Sequence, residues 1–517
     1  MLVTALTFFA FLVHGYHPYA EDGGVYVPEI KRLLDPALYP RGYEFVVGHL
    51  RYSLFAPAMA WLVRESHWSV EMVLLLAYLA SFWLTMVAAW LLAARCFRSR
   101  EARGGAVALL AVWMTMPIAG TSLMLMDPYV TARSISTPCA LLALVGALEF
   151  MQPRFPIGEE YGWRGLVLGC VALVAAAMMH LLMGAYAVGA VLLLGAVLWR
   201  SRVVRMWGAV GLSLTAVAMA AGLQLSMPPE SGTYQRVVLT RGYWFLSQWR
   251  WYEWIGLIAP LVILSIVAVG RRTDGDVARV ALARMACMAG LSAMTVAMLF
   301  ARIGMATHLV ARMQPLRIFQ VVYVVMILLL GGALAEYVLR RRPRRWVMVF
   351  SLLAGVMVFA ERRTFPASPH LELPRALELP RVLAWGAREE ASTNSGNKFE
   401  QAFVWISRHT PRDAVFALDA RYITEPGEDA QGFRAIAERS VLPDYSKDGG
   451  VVTNEPELAG AWMRGQIAQA GLNEESDARR VAALESLGVT WVVLERSAKT
   501  EFVCEFTNDA VKVCRLP

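Results

Sequence analysis

"SVEMVLLLAYLASFWLTMVAAWLLAARCFRSREAR" (residues 69–103) is the stretch that decides the fold. Its first part, 69–94, is apolar apart from Glu71 near the start, and it exceeds the ~20 residues an α-helix needs to cross a bilayer. Its second part, "RCFRSREAR" (95–103), is an arginine run of the kind that stays on the cytoplasmic side. Working outward, apolar segments recur near 1–14, 104–126, 134–151, 165–180, 182–199, 205–226, 254–270, 277–300, 316–338 and 346–360. If all eleven segments cross, the arginine runs at 95–103, up to Arg164, 200–205, 271–279 and 340–345 fall on one side. That count requires the apolar run 53–63 not to cross, so it is expected to be part of a structured outer loop. The first segment is short. Either it is tucked against neighbours or the true start lies upstream of Met1; it resembles the apolar region of a signal peptide but lacks a basic leader and a clear cleavage site.

Composition agrees with this layout. Apolar residues make up 57% and charged residues 17% of the 517, against about 45–50% and 25% in soluble domains. The net charge of +8 sits in short runs between apolar blocks rather than in a stripe interleaved with aromatics, which argues against nucleic acid as a partner. The expected fold is an all-α polytopic membrane domain (1–360, about eleven transmembrane helices), a proline-rich linker (361–397) and an extracytoplasmic α/β domain (398–517). In the last, "FEQAFVWISRHTPRDAVFALD" reads as helix, turn and buried strand, "GVTWVVLE" as a second strand, and the C-terminus as a hairpin. Cys504 and Cys514 flank "EFTNDAVKV", so a symmetric hairpin sets them opposite each other, and a position outside the cytoplasm permits a disulfide. Cys96, Cys139, Cys170 and Cys287 lie in or beside apolar segments, as small core residues do.

Polar residues of interest gather in the outer loops 15–68, 127–133 and 227–253. In "HPYAEDGGVYVPEIKRLLDP" the acids Glu21 and Asp22 precede two glycines and a short amphipathic helix, with Val27, Ile30, Leu33 and Leu34 on one face and Lys31 and Arg32 toward water. A carboxylate here can accept a proton from a nucleophile or help hold a metal; a solvated acid that merely caps the helix is the plainer alternative. "MDPYVTARSISTP" sets Asp127 and Arg133 at the outer boundary, and "TRGYWFLSQWRWYEWIG" carries Arg241, Arg250 and Glu253 among aromatic residues. "ARMQPLRIF" adds Arg312 and Arg317 where the positive-inside rule disfavours them, so Arg317 is expected to pair with an anion: a phosphate, or else Asp127 or Glu253. His180, alone in an apolar run, reads as a packing residue, and His14, His17 and His49 match no metal-site spacing.

This arrangement resembles the GT-C superfamily of integral-membrane glycosyltransferases, in the loop "AEDGGVYVPEIKRLLDPALYP" and in "WISRHTPRDAVFALD" with "FRAIAERSVLPDY" (433–445). It is also similar to uncharacterised bacterial polytopic proteins with "HPYAED" and "YWFLSQWRWYEW"-like loops. The superfamily's usual Asp-Glu order is reversed here, and Tyr26 follows Asp22 by four residues. The resemblance implies a bacterial cytoplasmic-membrane enzyme that moves a sugar from a polyprenyl-phosphate carrier to an acceptor on the outer face. It implies a catalytic role for Asp22, with Glu21 second, and carrier-phosphate binding by Arg241, Arg250, Arg312 or Arg317. Tyr26, Asp127, Arg133 and Glu253 complete the expected site; a divalent cation (Mg or Mn) is compatible with it and not required. A non-catalytic scaffold keeps the same loops. A transporter predicts mid-membrane charges and internal repeats, which are not evident.

Overall fold

A computed structural model of the chain describes residues 1–48, 50–152, 162–270, 277–374, 397–424 and 432–517. His49, most of the linker (375–396) and the residues 271–276 of one arginine run lie outside this range. Each of the eleven expected segments contains a helix, but among the described residues eight are long and apolar enough to cross a membrane. Leu2–His14 and Trp163–Met179 are apolar and shorter. The expected third crossing, 104–126, needs a correction. Its helix, Arg100–Val112, has 13 residues, about 20 Å at 1.5 Å per residue, and the chain then turns through a small antiparallel hairpin, β1 (Pro117–Ile118) and β2 (Leu123–Met124). Pro117 and Gly120 break the helix. The irregular stretch that follows is packed against protein, with Met114, Ile118, Leu123, Leu125 and Met126 sealed from solvent.

The helix ends sort into two groups. At one end Tyr16 N–H donates to the His370 carbonyl, His17 N–H to Pro128, and Ser53 Oγ to Met179. At the other, Arg341 pairs with Glu101 and Arg95 Nη1 donates to the Gln152 carbonyl. Arg95, Glu101, Gln152 and Arg341 therefore share one end, and the loops carrying Tyr16, His17, Ser53 and Pro128 the other. The chain is a multi-pass membrane protein. Phe319–Leu334 is the central helix, buried along almost all its length, whereas Trp251–Val269 and Pro343–Thr364 lie at the rim with apolar faces outward. Helices Ala132–Met151 and Trp163–Met179 touch backbone to backbone: a Cβ on Gly146 would stand 2.5 Å from the Gly169 nitrogen.

The first long loop contains helices Gly23–Leu34 and Phe55–Ser66. The second covers the run 53–63 and at 12 residues is too short to cross. The amphipathic helix does form, but it is not immersed in water along its basic face. Lys31 pairs with Glu438 at 2.6 Å and donates to the Ala435 carbonyl at 2.8 Å, because the C-terminal domain packs on that face. A Cβ on Gly24 would meet the Gly432 Cα at 2.9 Å, so this junction tolerates no side chain.

The C-terminal domain is α/β. Helix Lys398–His409 packs on a five-stranded sheet of β3 (Val415–Ala417), β4 (Ser440–Val441), β5 (Trp491–Glu495), β6 (Cys504–Thr507) and β7 (Val511–Arg515), in spatial order β4-β3-β5-β7-β6. β3 runs parallel to β4 and β5, and the terminal hairpin is antiparallel, with Cys504 opposite Cys514 and joined to it by a disulfide. Phe403, Phe416, Phe433 and Trp491 fill one side of this sheet. The first part of the segment expected as linker is not loose: helix Pro343–Thr364 runs into it, and Leu371 bridges to Tyr16.

Candidate functional site

Glu21 sits in the left-handed backbone region at φ 50°, a conformation disfavoured for a residue with a Cβ. That kink ends the descent from the first helix and sets Asp22 at the N-cap of helix Gly23–Leu34. An N-cap aspartate ordinarily turns its carboxylate onto the first free N–H groups. Asp22 makes no such bond. Its Oδ2 instead meets Arg133 Nη1 at 3.0 Å, and its Oδ1 lies 3.3 Å from Lys447 Nζ. Lys447 also pairs with Glu21, and Arg133 reaches Asp127 at 2.7 Å. The reading of the two acids as simple helix caps is thus replaced by a cluster assembled from three parts of the chain.

The electrostatics follow from that placement. Burial works against the charge on Asp22, but Lys447 and Arg133 outweigh it and hold the carboxyl far below the usual carboxylate range. Lys447 is pushed upward in turn, since Glu21 and Asp22 overcome the penalty of its burial. Arg317 lies close enough to lower Asp22 further. Tyr26, one turn along the helix, packs edge-on against Phe55 at 5.3 Å, and burial raises its phenol, so it stays protonated.

The remaining expected residues take other positions. Arg241 donates to the carbonyls of Ser446 and Tyr445 at 2.6 and 2.7 Å, immediately before Lys447. Arg312 donates to the Thr453 carbonyl at 3.1 Å and Tyr234 Oη to the same oxygen at 2.8 Å. These side chains grip the C-terminal domain at the two ends of its short helix Lys447–Val452. Arg250 is exposed and donates to Tyr252 at 2.9 Å, while Glu253 accepts the Arg250 N–H at 2.6 Å as a helix cap. Arg317 pairs with neither Asp127 nor Glu253; its Nε donates to Gln314 at 2.7 Å. Its side chain lines two small cavities, one among the helices with Met183, Tyr186 and Val324, and one with Tyr243 and Trp244. His180 accepts from the Met183 N–H as an N-cap.

Two features escaped the sequence. Lys447, in "PDYSKDGG", lies just past the stretch 433–445, and only the docking of the C-terminal domain brings it to Asp22. A small cleft lies beside it, between Gly24 and Pro28 of the loop helix and Asp419, Arg434, Asp444 and Asp448 of the C-terminal domain. Burial and neighbouring Asp448 push Asp444 up to about 7.

The donor set does not fit a divalent cation. Both Asp22 oxygens, the Glu21 carboxylate and Asp127 already face Lys447 or Arg133. Among the described residues no group of three or more His, Cys, Asp or Glu side chains is arranged to hold a metal.

Fold and site together define a polytopic membrane protein whose soluble domain closes over a charged cluster at one end of the helix bundle. Among solved structures the chain is similar to the crystal structure of the Archaeoglobus fulgidus oligosaccharyltransferase in complex with zinc and sulfate, at 11% identity and a TM-score of 0.47, over 96% of this chain and 68% of that one. No family model matches the sequence, and neither does any curated protein.

Proposed function

We propose that the protein is a membrane glycosyltransferase that moves a sugar from a polyprenyl-phosphate carrier to an acceptor at the outer face of the bacterial cytoplasmic membrane. The observation that carries this reading is Asp22: a carboxylate at a helix N-terminus that leaves the helix uncapped and lies between Arg133 and Lys447. Arg317, nearby, faces an apolar cavity between membrane helices. That combination suits a ligand with an anionic head and an apolar tail. Arg317 and Arg133 take the carrier phosphate, and the tail lies along the helices.

In the reaction the acceptor's oxygen or nitrogen attacks the anomeric carbon as the bond from that carbon to the phosphate oxygen breaks. The departing lipid phosphate keeps the electron pair, and the arginines stabilise its charge. Asp22 orients the acceptor by accepting its hydrogen bond and takes the proton as the new bond forms. A carboxylate paired with two cations is a weak base, so proton transfer requires Lys447 to move from Asp22 as the acceptor arrives. The C-terminal domain, extracytoplasmic in this reading, places the acceptor-facing cleft beside Asp22.

Native mass spectrometry of the detergent-extracted protein, wild type beside Asp22→Asn, tests the proposal. A polyprenyl-phosphate lipid is expected with both, its sugar retained in the variant. Intact, folded protein with no such lipid in either would favour the scaffold reading instead.

A further inference from the structure

We infer that Lys447 is a positioning residue that takes the place of a divalent cation at Asp22, so that the outer domain supplies the counter-ion its own site needs. The clause about transfer rests on the function proposed above; the claim about cation binding does not. Three observations carry the inference. Lys447 Nζ bridges Glu21 and Asp22, two adjacent carboxylates of the sort that would share a metal, and its side chain is only 15% exposed. The far oxygen of Asp22 is already occupied by Arg133, which spans to Asp127. The facing charges are thus paired: Glu21 and Asp22 with Lys447, and Asp22 and Asp127 with Arg133. A divalent ion here would have to displace Lys447 or share carboxylate oxygens that already face a cation, with unfavourable repulsion from Lys447 and Arg133.

Lys447 is held in that position by the membrane part of the chain. Arg241 fixes Tyr445 and Ser446 just before it, and Tyr234 and Arg312 fix Thr453 beyond the short helix it begins. Asp444 accepts the Lys447 N–H at 2.6 Å. A Cβ on Gly449 would stand 2.6 Å from Arg241 Nη2, so the glycine lets the guanidinium lie flat on the segment. The side chains expected to grip a phosphate thus serve to aim an ammonium group at two carboxylates. Docking of the outer domain and filling of the cation position become one event.

The test uses full-length protein in detergent and Mn2+ as the probe, followed by electron paramagnetic resonance. Wild type is expected to show no Mn2+ binding that Asp22→Asn removes. Lys447→Met, which keeps the length of the side chain without its charge, is expected to gain a Mn2+ site that is lost again when Asp22→Asn is added, and Lys447→Arg is expected to behave as wild type. Asp22-dependent Mn2+ binding by wild type overturns the inference, as does a folded Lys447→Met protein that gains no site. If Lys447→Met does not fold, the comparison of wild type with Asp22→Asn decides alone. Where transfer is measurable, wild type and Lys447→Arg are expected to keep their rates both in excess chelator and with added Mn2+, while the rate of Lys447→Met is expected to shift when Mn2+ is added. Absence of transfer in every protein would refute the function and leave the Mn2+ result standing.

Discussion

The ring of His17 is sealed from solvent and set between two carboxylates: Nε2 lies 2.9 Å from Glu361 and Nδ1 2.8 Å from Glu372. Both nitrogens face acceptors, so the imidazole must carry two protons and a positive charge. Phe365 stacks on it at 4.0 Å, His370 Nδ1 holds the other oxygen of Glu361 at 2.8 Å, and Arg362 stands 3.6 Å from Glu361. The His17 N–H donates to Pro128, next to Asp127, so this residue ties both acidic loops to the segment that follows the last helix. Burial opposes the charge, but Glu361 and Glu372 outweigh it and raise the imidazole from 6.5 to about 9. At about 1.4 kcal/mol per tenfold change in proton affinity, that difference corresponds to roughly 3 kcal/mol of stability. Because the folded protein binds this proton more tightly than the unfolded chain, the contribution is complete below the unfolded value of 6.5 and is lost as pH rises through about 9. Thermal unfolding in detergent, followed by tryptophan fluorescence, measures it in wild type and in His17→Gln. The variant should be less stable by about 3–5 kcal/mol near neutral pH, since two buried carboxylates lose their shared partner. Raising the pH to about 10 should cost wild type roughly 3 kcal/mol more than the variant, so that the two converge. Parallel curves across the range would refute the doubly paired imidazolium.

Arg133→Leu leaves buried Asp127 without its cation, and Asp22 with Lys447 alone, and should destabilise the protein by about 3–5 kcal/mol. Adding Asp127→Asn should recover part of that loss, and strict additivity of the two changes in a double-mutant cycle would deny the coupling. Arg317→Ala should weaken binding of a short-chain polyprenyl phosphate by roughly tenfold or more, read by titration in detergent; unchanged affinity would make Arg317 a packing residue of the helix bundle. Opening the Cys504–Cys514 link with paired serine substitutions should lower stability of the outer domain by about 2–3 kcal/mol, given the short loop it closes. Membrane extraction should be unaffected, and protease accessibility of the outer domain on the intact chain reads the effect.

The linear order of residues sufficed for features that depend on local pattern. Apolar blocks long enough to cross a bilayer, arginine runs on one side, the non-crossing run at 53–63 and the helix after Asp22 all follow from hydropathy and period, which are properties of neighbours in the chain. The C-terminal domain's helix, its two central strands and the Cys504–Cys514 hairpin were legible for the same reason. What was not legible arises from residues distant in sequence. The segment 104–126 has the hydropathy of a crossing, yet it is broken into helix and hairpin because surrounding helices bury the irregular backbone, and hydropathy carries no record of that shelter. Arg241 and Arg312 have the side chains of phosphate binders, but docking of the C-terminal domain offers them carbonyls. Asp22 was visible as an acid before a helix; that it forgoes the cap for Arg133 and Lys447 depends on partners 111 and 425 positions away along the chain. Charge pairing acts through space, and only the folded chain decides which charges meet.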